Sequence, residues 1–396
     1  MKKLAGGLEN VPGYTFSAVE SGIRYQGRLD YCLISAEKPC YGAGMFTQNK
    51  LFAAPVRLCR ERINNTIRAI LINATNANAC TGDRGYANAL DITADMAGKL
   101  GCTSAEVLMC STGIIGHQLP VDKMTGSHDT MAASLSREAG SMIPEAIMTT
   151  DTVPKRVSYS FATSEKEYTI AGTVKGSGMI APNMATMLAF ILTDAPLDRK
   201  TLAETFRNSV NQTFNRITID GDMSTNDTAL ILSPVSESPL RSDKDLEAFK
   251  SALDAVLFDL AKMLVCDGEG ITKVVTVRVT GAASESDALL AARAVSESLL
   301  VKTAFFGNDP NWGRIGAAAG YSGALLEEKH LSIYYGDIPL LLKGVPQETD
   351  KESLAMIMAK KEFTVTVDIG LGPHEASMMT TDISYDYVKI NAEYTT

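Results

Sequence analysis

Histidine is scarce in this chain. There are four in 396 residues, His117, His128, His330 and His374, and none sits in a GxSxG or HExxH context. Nucleophilic catalysis most often borrows histidine as its base, so a Ser-His-Asp triad finds no support here. The seven cysteines (Cys32, Cys40, Cys59, Cys80, Cys102, Cys110 and Cys266) are odd in number and show no CxxC or other metal spacing. They read as reduced thiols of a cytoplasmic protein, mostly core, and imply neither a disulfide framework nor a metal site. Long apolar runs are also missing. Stretches such as Met187 to Leu192 fall far short of the ~20 residues a membrane span needs, and the lysines at positions 2 and 3 lead into no apolar segment of signal-peptide type. Nor is there an excess of basic charge: 37 Lys and Arg face 46 Asp and Glu, for a net charge of −9. Nucleic acid and anionic membranes are therefore excluded as the main partners.

What is present is an ordinary globular composition, 45% hydrophobic and 21% charged, in a chain long enough for two or three domains. Helical and strand patterns alternate without internal repeats. A helix is expected from Tyr86 to the stop at Gly101, and another after Asp198, where Leu202, Phe206, Val210 and Phe214 recur every four residues. Leu246 to Met263 reads as a longer helix opened by a capping box of Ser242 and Asp245, and Ala288 to Leu300 as one more. Val275, Val277 and Val279, and then Phe363 to Ile369, alternate with polar residues as half-buried strands do. Ala69 to Ile72 and Met187 to Leu192 are continuous apolar runs, as in strands covered on both faces. The class is α+β, with a boundary placed near residue 280.

Three segments carry candidate chemistry. Gly176 to Ala181 fits GxGxxA after a credible strand, but Pro182 and Asn183 follow where a dinucleotide site needs a helix. Asp220, Asp222, Asn226 and Asp227 hint at a cation loop, yet Ser224 and Thr225 fail the fifth and sixth positions of the calcium pattern, which leaves a polar, internally bonded loop. The third segment, Lys175 to Phe190, runs from a glycine-rich loop into Ala185-Thr186 and then a buried strand. Thr186 is either a β-branched residue opening that strand or a self-activating nucleophile. Cleavage before Thr186 would free an α-amine that deprotonates its own hydroxyl, a device that needs no histidine.

KGSGMIAPNMATM (Lys175 to Met187) resembles the self-cleavage motif of the glutamate N-acetyltransferase, or ornithine acetyltransferase, family. Seven further segments resemble the same family in order along nearly the whole chain: NATNANACTGDRG (73–85), STGIIG (111–116), MTTDTVPK (148–155), DGDMSTNDT (220–228), DGEGITK (267–273), GNDPNWGRI (307–315) and the terminal YVKINAEYTT. The one departure noticed is Ile271, where a smaller residue is expected.

The resemblance implies an N-terminal-nucleophile-hydrolase-like αββα sandwich over residues 1–280 and a smaller C-terminal α/β domain over 281–396 that completes the site. It implies self-cleavage between Ala185 and Thr186 into chains 1–185 and 186–396, assembling as two such pairs in the cytoplasm. The implied reaction moves an acetyl group from N2-acetyl-L-ornithine to L-glutamate through an acetyl-Thr186 ester, as a step of arginine biosynthesis; some members also accept acetyl-CoA. Thr112 and Gly113 would form the oxyanion hole. Thr149 (with Thr150 as its neighbouring alternative), Lys175, Glu269, Asn391 and Thr396 would bind substrate together with Thr186. No metal or organic cofactor is implied. The alternative on the same scaffold is an N-terminal-threonine aminopeptidase or amidase, in which water takes the acyl group.

Overall fold

The structure is a computed structural model that describes residues 1–181 and 187–393. The expectations for Ala185, Thr186 and Thr396 therefore fall outside the described residues. Among those described, nine strands share one sheet: β1 (Lys2–Leu4), β2 (Tyr14–Val19), β3 (Tyr31–Phe46), β4 (Thr66–Asn73), β5 (Val107–Ser111), β6 (Lys155–Ala162), β7 (Glu167–Lys175), β8 (Leu188–Thr193) and β9 (Thr228–Pro234). Their order is β1-β6-β7-β8-β9-β3-β4-β5, with β2 also on β3.

Strand β3 folds this sheet into two layers. Its first part, Tyr31 to Ser35, pairs with β4, and its second part, Cys40 to Phe46, pairs with β9, with a register break between Ser35 and Cys40. Leu33, Ile34 and Leu71 of one layer belong to the same core cluster as Phe190, Leu192, Leu230 and Leu232 of the other. The alternate residues of the same strands, Ala189, Ile191, Ala229 and Ile231, join a second core with Phe206, Phe249, Leu253 and Leu260. Those partners come from the helices Arg199–Gln212 and Asp243–Cys266. Ala89, Ile92 and Met96 of the helix Gly82–Leu100 cover the other layer. Along β8 and β9 period-two alternation thus sends the two faces into different cores, which is why β8 reads as a continuous apolar run. The result is the expected αββα order in an α+β chain. Each fully buried Leu, Ile or Phe contributes about 1.5–3 kcal/mol.

Six more strands make the second sheet: β10 (Val274–Ala282), β11 (Ser332–Tyr335), β12 (Ile338–Leu342), β13 (Val345–Pro346), β14 (Glu362–Asp368) and β15 (His374–Thr381), ordered β13-β12-β11-β14-β10-β15. Strand β10 runs through the boundary placed near residue 280 and pairs with β14 and β15 on either side.

Helix ends follow their local chemistry. Gly101 takes the left-handed conformation, with φ 64°, and closes the helix that starts at Gly82. Asp198 caps the next long helix by accepting from the Lys200 and Thr201 N–H groups. That helix ends at Gln212, so Phe214 reaches the core from a following single turn. At the 243–266 helix the Ser242 hydroxyl accepts from the Asp245 N–H. The Asp245 carboxylate turns to the Ser164 N–H and hydroxyl as well as to the Ser242 hydroxyl, a broader tie than a capping box. The helix expected over 288–300 is two helices, Glu285–Glu297 and Leu299–Phe306, because Ser298 leaves the helical conformation and caps the second.

Candidate functional site

A cleft open to solvent gathers residues from six separate stretches of chain. Thr112, Gly113 and Ile115 follow the end of β5; Thr149 and Thr150 precede β6; Lys175 ends β7, with Gly178 and Met179 in the loop beyond. Ser224, Thr225 and Asn226 precede β9, Glu269 follows the 243–266 helix, and Asn391 comes from the helix Tyr385–Glu393. Every described position expected to touch substrate or oxyanion lines this one cleft: Thr112, Gly113, Thr149, Lys175, Glu269 and Asn391.

The sheet explains the convergence. Lys175 at the end of β7 stands opposite Leu188 at the start of β8, and Leu188 stands beside Thr228 at the start of β9. The connection that holds position 186 therefore leaves and rejoins the sheet at these paired strand ends. Its return is pinned: the Met187 N–H donates to Asp227 Oδ1 at 3.1 Å, and Met187 accepts from the Thr228 N–H. Its departure is pinned by Asp220, whose carboxylate accepts from the Met179 and Ile180 N–H groups at 2.6 and 2.9 Å. The 220–228 segment is thus the polar, internally bonded loop expected from its spacing. After Ala181 the next described element is β8.

Asn226 clasps the two layers. Its side-chain amide donates to the Ala77 carbonyl at 2.6 Å and to the Ser111 carbonyl at 2.8 Å. The 73–80 segment it holds is bent, with Thr75, Asn78 and Cys80 all at positive φ. Gly113 packs onto that bend so closely that a Cβ would sit 2.1 Å from the Thr75 carbonyl carbon, with its own φ at 132°. No other residue type fits there. The Thr112 N–H is already given to the Asn73 carbonyl at 3.0 Å, so what Thr112 offers the cleft is its hydroxyl.

Charge in the cleft is arranged in opposition. Lys175, 3% exposed, donates to the Thr112 hydroxyl at 3.1 Å. Burial lowers the Lys175 ammonium's pKa, and Asp151 opposes that without cancelling it. Across the cleft, the Glu269 carboxylate accepts from the Asn391 amide at 3.0 Å and lies against Gly178, where a Cβ would come within 2.4 Å of it. The Glu269 N–H is fixed by the Ser177 carbonyl at 2.8 Å. The terminal helix is seated on the same loop: the Ser384 hydroxyl donates to the Gly270 carbonyl at 2.5 Å, and a Cβ on Gly270 would strike the Tyr387 nitrogen. Thr149 and Thr150 both face the cleft, but the Thr150 hydroxyl is bound to the Ser177 hydroxyl at 2.7 Å. Among the described residues none engages the Thr149 hydroxyl.

Several members of the site have no substrate or oxyanion role expected from the sequence. Thr150 stands there only as the alternative to Thr149, and Ile115, Gly178, Met179 and Ser224 to Asn226 join it as lining residues. Asp151, Lys155, Asp227 and Asp267 are buried behind them. All lie in or beside the quoted motifs, but spacing alone does not tell a buried carboxylate from a solvated one. Burial raises the Asp227 carboxyl well above the usual carboxylate range, and its Oδ2 has no hydrogen-bond partner among the described residues. Ile271 lines a different depression, beside Cys266 and Lys273, away from this cleft. His128 is a satisfied core histidine between Asp95 and the Tyr31 hydroxyl, not a catalytic base. Among the described residues no group of three or more His, Cys, Asp or Glu is placed to hold a metal ion. No helix there is long and apolar enough to cross a membrane.

The cleft thus sets two hydroxyls and a close-packed backbone glycine beside a buried cation and a carboxylate. The chain belongs to the ArgJ family, whose model matches residues 15–396. An arginine biosynthesis bifunctional protein ArgJ of Geobacter sulfurreducens is 49% identical over 98% of this chain and 100% of the relative. One of Symbiobacterium thermophilum is 42% identical over the full length of both. The crystal structure of an ornithine acetyltransferase from Mycobacterium tuberculosis complexed with ornithine is 34% identical, covering 46% of this chain and 97% of that one, with a TM-score of 0.43.

Proposed function

We propose that this cleft transfers the acetyl group of N2-acetyl-L-ornithine to L-glutamate by way of an ester on Thr186. The chain is an acyltransferase of arginine biosynthesis, in keeping with its family. In the proposed cycle, the bond between Ala185 and Thr186 is first broken by the chain itself, giving chains 1–185 and 186–396. The freed α-amine of Thr186 takes the hydroxyl proton as the oxygen attacks the acetyl carbonyl. The proton passes to the ornithine amine as the C–N bond breaks. Glutamate's amine then attacks the ester, the acetyl group moves to nitrogen, and the threonine hydroxyl is restored. The Thr112 hydroxyl and the Gly113 N–H are the donors that meet the oxyanion in each half-reaction. Lys175 holds the substrate α-carboxylate, Glu269 with Asn391 the ornithine ammonium, and Thr149, not Thr150, adds the free hydroxyl. Thr396 is assigned to the same substrate shell.

The observation that carries this reading is the convergence of six described positions from five stretches of chain on one cleft, at the strand ends where the connection between β7 and β8 returns to the sheet. Residues 1–280 form the catalytic unit and 281–396 the unit that completes it through Asn391. Two copies of each cleaved chain assemble, in the cytoplasm, where the seven unpaired cysteines stay reduced. Acetyl-CoA is included as a second donor, since the relatives are named bifunctional. The test is ornithine release from N2-acetylornithine with and without glutamate. Release that needs glutamate, with N-acetylglutamate formed in equal amount, is expected. Fast release without it would make the protein an amidase.

A further inference from the structure

Behind the cleft lies a buried triad of charges that no step above uses. Lys155, 1% exposed at the first position of β6, sets its ammonium 2.7 Å from Asp151 Oδ1 and 2.5 Å from Asp267 Oδ2. Both carboxylates are themselves buried, at 8% exposure. Asp151 also holds backbone at the cleft, and Asp267 backbone beside it. Asp151 Oδ1 accepts from the Gly176 N–H at 2.6 Å, the residue after Lys175, and Asp151 Oδ2 accepts from the Thr149 N–H at 3.1 Å. Asp267 stands two residues before Glu269 and accepts from the Thr152 N–H and hydroxyl. The three substrate-facing groups, Thr149, Lys175 and Glu269, thus hang from one lysine through two carboxylates.

We propose that Lys155 is a positioning residue, the common anchor that sets Thr149, Lys175 and Glu269 at the separation the amino-acid substrate requires. The geometry argues for more than stability. A buried ion pair often adds little net stability over apolar packing of the same volume, so a triad at this point is better explained by the alignment it enforces. A sub-ångström shift of a binding group is enough to cost one to two orders of magnitude in affinity or rate. The proposal rests on the cleft being the acetyl-transfer site.

The experiment is ornithine binding by calorimetry, with steady-state transfer kinetics, on wild type, Lys155→Met and Asp267→Asn. Asp267→Asn keeps the side chain's shape and leaves Lys155 paired with Asp151, so it remains informative if Lys155→Met does not fold. Ile333→Ala is the control: Ile333 is fully buried in the core of the six-stranded sheet and does not line the cleft. The expected result is ornithine Kd and acetylornithine KM raised about 100-fold in Lys155→Met and about tenfold in Asp267→Asn, with kcat within about threefold of wild type. Ile333→Ala should lower Tm while leaving Kd unchanged. A folded Asp267→Asn or Lys155→Met that binds ornithine as wild type does would overturn the proposal and leave the cleft's assignment standing. A wild type that neither binds ornithine nor transfers acetyl would overturn the assignment, and this proposal with it.

Discussion

The two sheets bury different chemistry. Around the nine-stranded sheet, where its layers meet at the cleft, the interior holds Asp151, Lys155, Lys175, Asn226 and Asp227, each buried and each tied to backbone, to a hydroxyl or to an opposite charge. The six-stranded sheet packs Val277, Val279, Ile333, Val365 and Val367 against Ala291, Val295, Phe305 and Ile315, a core of methyl groups and rings. Burying a charge costs free energy that burying a methyl returns, so proteins keep charges inside where chemistry needs them. Here the buried charges nearest the cleft belong to the nine-stranded half; the other half buries Lys302 on Thr380 and Thr381 and, among the described residues, reaches the cleft by its terminal helix.

The sharpest way to break this contrast is at the nucleophile. Thr186→Ala should yield one uncut chain with no transfer activity, read by mass spectrometry and by acetyl transfer; a variant that still splits at position 186 would refute the mechanism. Next is Gly113→Ala, whose new Cβ would collide with the Thr75 backbone. It should cost about 10²–10³ in kcat/KM, the usual loss for one displaced oxyanion donor. In the apolar half, Ile333→Ala should cost about 2–5 kcal/mol of stability by denaturant unfolding while KM stays unchanged. A KM shift there would mean that the halves are not separable.

The smallest effect is a pH dependence. Burial holds the Asp227 carboxyl well above its ordinary value, so the folded chain keeps a proton that the unfolded chain releases near pH 4. The group's stabilising contribution is complete below about pH 4 and is lost as pH rises toward the folded value. Asp227→Asn keeps an acceptor for the Met187 N–H and does not titrate. Its Tm relative to wild type should therefore rise between about pH 5 and pH 8, and a flat difference would show that Asp227 is ionised in the folded protein.

Much of the architecture could be read from periodicity. Strands β7, β8, β10 and β14 and the helices ending at Gly101 and Cys266 lie where their apolar spacing and end signals put them, because one face of each must be buried. The break at Ser298 was missed, since a serine that caps one helix can equally sit inside another. The cleft's direct contacts were legible through motifs. The layer beneath them was not: the quoted motifs contain Asp151, Lys155, Asp227 and Asp267, yet only the packing of β6 against the 243–266 helix and the fold of β3 turn them inward.

The most direct test of the central claim is to incubate the protein with N2-acetylornithine in the absence of glutamate, quench it in acid and map the peptides by mass. The account predicts one acetyl group on the peptide whose first residue is Thr186, discharged as N-acetylglutamate when glutamate is added before the quench. Ornithine released while that peptide stays unmodified, or an acetyl group carried by any other residue, would contradict it.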